Sequence, residues 1–229
     1  MHLKQNNMIK LYNIRKVFHS KTSETVSLQD ICLTVEQGEF VAIMGPSGSG
    51  KTTLLNILGL IDRPTEGKYI LDGEDTDGLS DYQMTIFRRK KLGFIFQAFN
   101  LIDELTVYEN VELPLKLLNY PANERKELVT EALRRMEVSH RAENYPNELS
   151  GGQQQRVAFA RAIISKPKLI LADEPTGNLD SKNGLEAMQI LSDLHKEGAT
   201  IVMVTHNQRD AAYADRIINL FDGRIIEVK

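Results

Sequence analysis

Eight residues, Gly45 to Thr52 (GPSGSGKT), dictate more of this chain than any other stretch of its 229 residues. They match the pattern G-x-x-x-x-G-K-[ST], follow the apolar run Phe40–Met44 and precede the helix-like TTLLNILGL. Such a loop joins a strand to a helix. Its glycines let backbone N–H groups turn inward around phosphate oxygens, and the helix that follows offers its positive end to the same anion. Gly45, Gly48 and Gly50 supply the turns, with Pro46, Ser47 and Ser49 between them. Lys51 adds a point charge, Thr52 a hydroxyl suited to Mg²⁺, and Thr53 continues the helix start.

The rest of the chain agrees with an α/β core. Short apolar runs of strand length recur at 8–14, 40–44, 92–96, 169–172 and 201–204. The runs at 40–44, 169–172 and 201–204 barely alternate in polarity, as expected for a parallel sheet covered on both faces. The N-terminal strand and Tyr69–Leu71, followed by the turn signal Asp72-Gly73, read as an antiparallel side sheet. Asp222-Gly223 separates Ile217–Phe221 from Arg224–Val228 and predicts a closing hairpin. From about 98 to 165 the texture turns helical, punctuated by Pro114, Pro121 and Pro146. Leu128, Val129, Ala132, Leu133 and Met136 share one face of a helix over 124–137. This region reads as a helical subdomain inserted into the core. A further helix over 183–196 is expected to bury Leu185, Met188, Leu191 and Leu194.

Composition removes several classes. With 28 basic and 31 acidic residues the formal net charge is -3, which gives no global reason to expect nucleic acid. The basic run Arg88–Lys91 reads as a solvated helix face. Cys32, the sole cysteine, lies in the apolar stretch Ile31–Leu33 and is expected to be a buried small residue in a reducing compartment. The N-terminus lacks the apolar centre of a signal peptide, and no run reaches the about 18 apolar residues of a membrane span. The chain is therefore expected to stay in the cytoplasm. His2, His19, His140 and His195 show no metal-ligand spacing and receive no role.

Hydrolysis needs more than a phosphate cradle. In LILADE, four apolar residues end in Asp173, a second candidate Mg²⁺ ligand, and Glu174, a candidate to orient the attacking water. Leu149-Ser150-Gly151-Gly152-Gln153 then opens a helix whose hydroxyl, N–H groups and positive end face one way. Taken locally this fits an ordinary capped helix as well as an anion-binding surface.

With LSGGQ in place, the chain from about 8 to 229 resembles the ABC ATPase family, every motif in order. The resemblance implies a single ABC ATPase domain: a P-loop NTPase core with an antiparallel β side sheet and an inserted α-helical subdomain. It implies ATP and Mg²⁺ as ligands, and a head-to-tail homodimer in which Ser150, Gly151, Gly152 and Gln153 of one copy cap the γ-phosphate held by the other. Gln97, closing GFIFQ, resembles the glutamine that touches Mg²⁺ or the water and reports to a membrane partner. His206, in VTH, resembles the switch histidine at the γ-phosphate. Asp180 in GNLD resembles the D-loop aspartate, although Gly177 stands where the family often has serine. Phe18 is the best match to the aromatic residue on which adenine stacks. Tyr12 competes, but its place inside the first strand favours packing there.

The phrases IMGPSGSGKTTLLNILGLIDRPTEG, GFIFQAFNLI and ADEPTGNLDS are similar to ATPases of macrolide export, lipoprotein release and peptide resistance, the MacB-like and LolD-like branch. This implies an integral membrane permease as partner, bound through the helical subdomain, and a peripheral place on the cytoplasmic face of a bacterial inner membrane. The alternative is an ABC ATPase acting as a cell-division or other non-transport factor. Ribosome- or DNA-directed relatives carry two cassettes or a long coiled coil, whereas about 50 residues separate Gln97 from Leu149 here.

Overall fold

The computed structural model describes residues 7–20 and 23–228; His2 and Lys229 lie outside them. Along the chain run β1 (Asn7–His19), β2 (Glu24–Glu36), β3 (Phe40–Met44), α1 (Lys51–Leu58), β4 (Glu66–Leu71), β5 (Glu74–Asp75), α2 (Asp81–Lys91), β6 (Leu92–Phe96), α3 (Val107–Leu117), α4 (Ala122–Arg135), α5 (Gly151–Ile163), β7 (Leu169–Asp173), α6 (Ser181–Lys196), β8 (Thr200–Thr205), α7 (Gln208–Ala211), β9 (Arg216–Phe221) and β10 (Arg224–Val228). The chain divides into two compact units, 1–85 with 192–229, and 86–191, the division falling within α2 and α6.

The first unit holds both kinds of sheet that the sequence foretells. An antiparallel sheet has the order β2-β1-β4-β5. A second set has β3 flanked by β8 and β9, both parallel to it, with β10 antiparallel to β9. The near-absence of alternation in β3 and β8 matches their burial: Phe40 to Ile43 and Thr200 to Thr205 are all buried. Ile43, Leu54, Ile57, Leu58 and Tyr69 are among the largest fully buried side chains. Each such aliphatic side chain contributes about 1.5–3 kcal/mol of transfer free energy. Tyr69 keeps its phenol satisfied by donating to the Leu58 carbonyl at 2.8 Å, and burial pushes the hydroxyl pKa upward.

The second unit pairs β6 with β7 in parallel and packs α5 against β6, α3 and α4. On α4, Val129, Ala132 and Leu133 are buried, Leu128 is half-buried, and Met136 is buried just past the helix end. Pro114 sits inside α3 rather than ending it, at the cost of one i→i−4 hydrogen bond.

Three side chains differ from the sequence expectation. Cys32 is exposed, because β2 alternates strictly from Asp30 to Glu36 and Cys32 takes the outward place between buried Ile31 and Leu33. Tyr12 is 48% exposed, on the outward side of β1 just before Asn13, whose φ of 48° marks the irregular register there. Leu185 is 62% exposed while Ala187, Met188, Leu191 and Leu194 are buried. At about 100° per residue, Leu185 falls roughly 140° around α6 from the centre of that stripe.

Candidate functional site

In the first unit, β3 delivers the chain into the loop 45–50 and α1 leaves it. The loop is braced from outside. The Gly223 N–H donates to the Ser49 carbonyl at 3.0 Å, so the β9–β10 turn buttresses it. Ser27 Oγ donates to Thr53 Oγ1 at 2.8 Å, tying α1 to β2. A Cβ on Gly45 would run into the Leu220 carbonyl oxygen, and one on Gly50 would lie 2.6 Å from the Ser27 carbonyl oxygen. Lys51 is buried to 7% exposure and its Nζ donates to the carbonyls of Gly45 and Pro46, each at 2.8 Å. The ammonium is thus fixed against the loop by the loop itself.

This cradle fits a phosphate group. Gly50 caps α1 in the left-handed conformation with no side-chain cap, so the first N–H groups of the helix have no side-chain acceptor. Among the described residues, the buried Ser49 Oγ has no hydrogen-bond partner. Pro46, Ser47, Gly48 and Thr52 face solvent. His206 is exposed immediately after β8, held between two backbone contacts: the Asn207 N–H donates to Thr205 Oγ1 at 3.0 Å, and Asn207 Oδ1 caps α7 by accepting from the Arg209 N–H at 2.9 Å. Phe18 is 45% exposed near the end of β1, with Lys16 Nζ 5.0 Å from its ring centroid. Lys16 is itself anchored to Asp62 at 2.7 Å. One face of the Phe18 ring therefore meets a cation.

In the second unit, β7 ends in Asp173 and Glu174, both half-buried. Glu174 has φ 42°, a left-handed conformation that costs a non-glycine residue about 1–2 kcal/mol. There the chain breaks from the strand into a turn closed by the Gly177 N–H on the Glu174 carbonyl at 2.9 Å. Gln155, 1% exposed on α5, donates Nε2 to the Pro175 carbonyl at 2.8 Å and pins that turn. Gln97 follows β6 and donates Nε2 to Asn178 Oδ1 at 3.3 Å.

Ser150 is the N-cap of α5 in a full capping box: its hydroxyl accepts from the Gln153 N–H, and Gln153 Oε1 accepts from the Ser150 N–H at 3.1 Å. Gly152 is buried, and a Cβ there would meet the Asn183 side chain. Asp180 accepts from the Asn183 N–H at 2.9 Å and from its Nδ2 at 2.8 Å; these bonds hold the Asp180 carboxyl below its usual pKa. The N-terminal end of α5 and the start of α6 thus meet through Gly152, Asn183 and Asp180. Arg161, also on α5, donates to the carbonyls of Phe99 and Asn100, and burial lowers its pKa to about 10.

Sequence reasoning missed Gln155, Asn183 and Arg161. Asp180-x-x-Asn183 and Ser150-x-x-Gln153 both carry a legible capping signal. Gln155 and Arg161 carry none, since their partners lie 20 and about 60 residues away.

The family described as ABC transporter matches residues 28–177. The chain is 50% identical over 221 residues to an uncharacterized ABC transporter ATP-binding protein, MJ1508, of Methanocaldococcus jannaschii, covering 96% of this chain and 99% of that one. It is 49% identical over 216 residues to the macrolide export ATP-binding/permease protein MacB of Bartonella henselae, covering 94% of this chain but 33% of that protein. Its fold superposes on the ATP-binding cassette MJ0796, solved as a dimer in a post-hydrolysis state bound to ADP and Pi, with TM-score 0.90 and 46% identity over 97% of this chain and 98% of that one.

Proposed function

The chain belongs to the ABC transporter family as an ATP-hydrolysing subunit, and from that premise we propose that two copies form a head-to-tail dimer that drives an integral membrane permease of the MacB/LolD-like type. The observation that carries the dimer is the N-terminal end of α5. Its capping box uses the Ser150 hydroxyl oxygen as acceptor and leaves the hydroxyl proton to donate elsewhere. Gly151 and Gly152 add N–H groups that by position have no intrahelical acceptor. Such an end suits a γ-phosphate brought by a second copy.

Within each copy, Lys51 and the N–H groups of Gly48 to Thr53 hold the phosphates, and Phe18 carries the base. Thr52, Gln97 and Asp173 serve as Mg²⁺ ligands. Their oxygen donors suit that ion, and among the described residues no cluster of three His, Cys, Asp or Glu would hold a metal unaided. When bound, Mg²⁺ neutralises charge on the phosphate oxygens. Glu174 accepts a hydrogen bond from the attacking water and aligns it, and His206 contacts the γ-phosphate. Residues 8–229 work as one ATPase domain.

No described helix is long and apolar enough to cross a membrane. For the permease we assign a groove of about 300 Å³ in the second unit, where Phe94, Phe96, Pro114 and Leu117 lie with Arg88 and Arg161. On this reading the subunit works at the cytoplasmic face of the membrane. Mixing Lys51→Ala with Ser150→Ala subunits tests the shared site: activity should depend on the mixing ratio, and strictly additive rates would exclude it. Purification from membranes should bring down a permease; a ribosome in its place would refute the transport reading.

A further inference from the structure

The glycine at 177 has no backbone reason to be glycine, since its φ lies outside the left-handed region. Its reason is a close approach. A Cβ at 177 would lie 2.7 Å from Gln97 Nε2, 3.0 Å from its Cδ and 3.1 Å from its Cγ. The side chain of Gln97 therefore lies flat across residue 177, with its amide donating to Asn178 Oδ1 at 3.3 Å. Residue 177 also closes the turn that begins at Glu174, through its N–H on the Glu174 carbonyl. Pro175, inside that turn, is held by Gln155.

We propose that Gly177 and Asn178 are positioning residues that seat the Gln97 amide on the turn carrying Glu174. Neither acts on the nucleotide itself. Gly177 supplies a surface without a side chain, and Asn178 supplies the acceptor that selects one orientation of the amide. Gln97 and the water-orienting acid are then placed by one rigid piece of backbone, so a displacement of one is felt at the other. The functional part of this inference rests on the role given above to Gln97.

The contact predicts an uneven response to substitution. The three atoms nearest an alanine Cβ at 177 all belong to the flexible side chain of Gln97, so Gln97 must shift while the fold stays. The Gln97 side-chain amide peaks, identified in a ¹⁵N–¹H spectrum of the full chain by their loss in Gln97→Ala, should move in Gly177→Ala and in Asn178→Leu but stay in Asn178→Asp, which keeps the acceptor oxygen. In steady-state ATP hydrolysis, Gly177→Ala should lower kcat by about fivefold, the size of a side chain forced off its preferred rotamer, with KM for ATP little changed. In a Gln97→Ala background the same substitution should cost nothing further. Melting temperature should not change. Unmoved amide peaks in Gly177→Ala, or an undiminished loss of kcat in the Gln97→Ala background, would overturn the proposal. If the peaks move while Gln97→Ala itself turns over at the full rate, the seating stands and the role assigned to Gln97 falls.

Discussion

Three glycines of one loop separate two physical costs that are usually confounded. Gly48 has φ 79° and open space around its missing Cβ. Gly45 has no positive φ, but a Cβ there would strike the Leu220 carbonyl oxygen and lie 2.6 Å from Ser49 Oγ. Gly50 has both burdens, φ 100° together with contacts of 2.6 Å to the Ser27 carbonyl oxygen and 2.8 Å to Leu28 Cδ2. For alanine, the left-handed backbone costs about 1–2 kcal/mol, reduced by up to about 1 kcal/mol because alanine stiffens the unfolded chain. Overpacking against backbone costs about 1–3 kcal/mol. With the same unfolded-chain offset applied to all three, Gly48→Ala should lose about 1 kcal/mol, Gly45→Ala about 0.5–2.5 and Gly50→Ala about 1–4. In a chain of this size each kcal/mol moves the melting temperature by about 2–4 °C, so the shifts should be near 3 °C for Gly48→Ala and roughly 3–12 °C for Gly50→Ala. Circular dichroism melts of the nucleotide-free protein measure this directly. If Gly50→Ala melts with or above Gly48→Ala, the bracing of the loop by β2 is not what holds it.

Glu174→Gln keeps the size and hydrogen-bonding reach of the side chain but removes its basicity; it should bind ATP, nearly abolish turnover and accumulate an ATP-dependent dimer on gel filtration, and full turnover would sink the assignment. Ser150→Ala should lose about 1 kcal/mol of helix capping together with activity, whereas Ser150→Asp should keep the melting temperature and still lose activity, because aspartate caps well but sets an anion where a phosphate must come. Burial raises the Glu112 carboxyl, yet hydrogen bonds from Lys116 at 2.7 Å and Arg125 at 2.8 Å outweigh it and hold the pKa below the ordinary 4.5. The folded chain then binds this proton less tightly than the unfolded one, so the Glu112 contribution is whole above the ordinary carboxylate range and fades as pH falls below it; the gap in melting temperature between wild type and Glu112→Gln should be open at pH 7 and begin to close only as the pH drops below 4.5.

What could be read in advance follows the range of the interactions responsible. The phosphate loop and the strand before it are contiguous in sequence, so spacing alone makes them legible, whereas the acids ending LILADE gain weight only beside that loop. Turn pairs such as Asp222-Gly223 work the same way, since φ 46° at Asp222 and 71° at Gly223 are local demands. Outward and inward places were less legible. The irregular register at Asn13 puts Tyr12 and Asn13 in succession on solvent, which no strict alternation from Met8 would allow. Gln155 is a polar residue in a helical pattern, and only the Pro175 carbonyl, far along the chain, explains its burial. Gly177 looked like a departure from the family pattern. Its cause is Gln97, 80 residues earlier, and a pairing at that distance leaves no trace in local composition.

On the proposed function, one side chain at the end of α5 meets a structural and a chemical need at once. A serine hydroxyl has two lone pairs and one proton. The cap on the Gln153 N–H takes a lone pair, and Gln153 returns the bond to the Ser150 N–H, so the serine is oriented without spending its proton. Threonine, asparagine or aspartate would also cap. Aspartate would bring a charge, asparagine a bulkier amide and threonine a methyl at the mouth of the helix, so serine is the smallest neutral cap that keeps a donor for an incoming anion. Gly152 answers a different demand, its missing side chain admitting Asn183, which in turn fixes Asp180. The glycines of the signature are therefore not equivalent. Gly151, where a Cβ would meet nothing closer than 3.8 Å, leaves the helix end uncovered, whereas Gly152 ties that end to Asp180 through the Asn183 side chain.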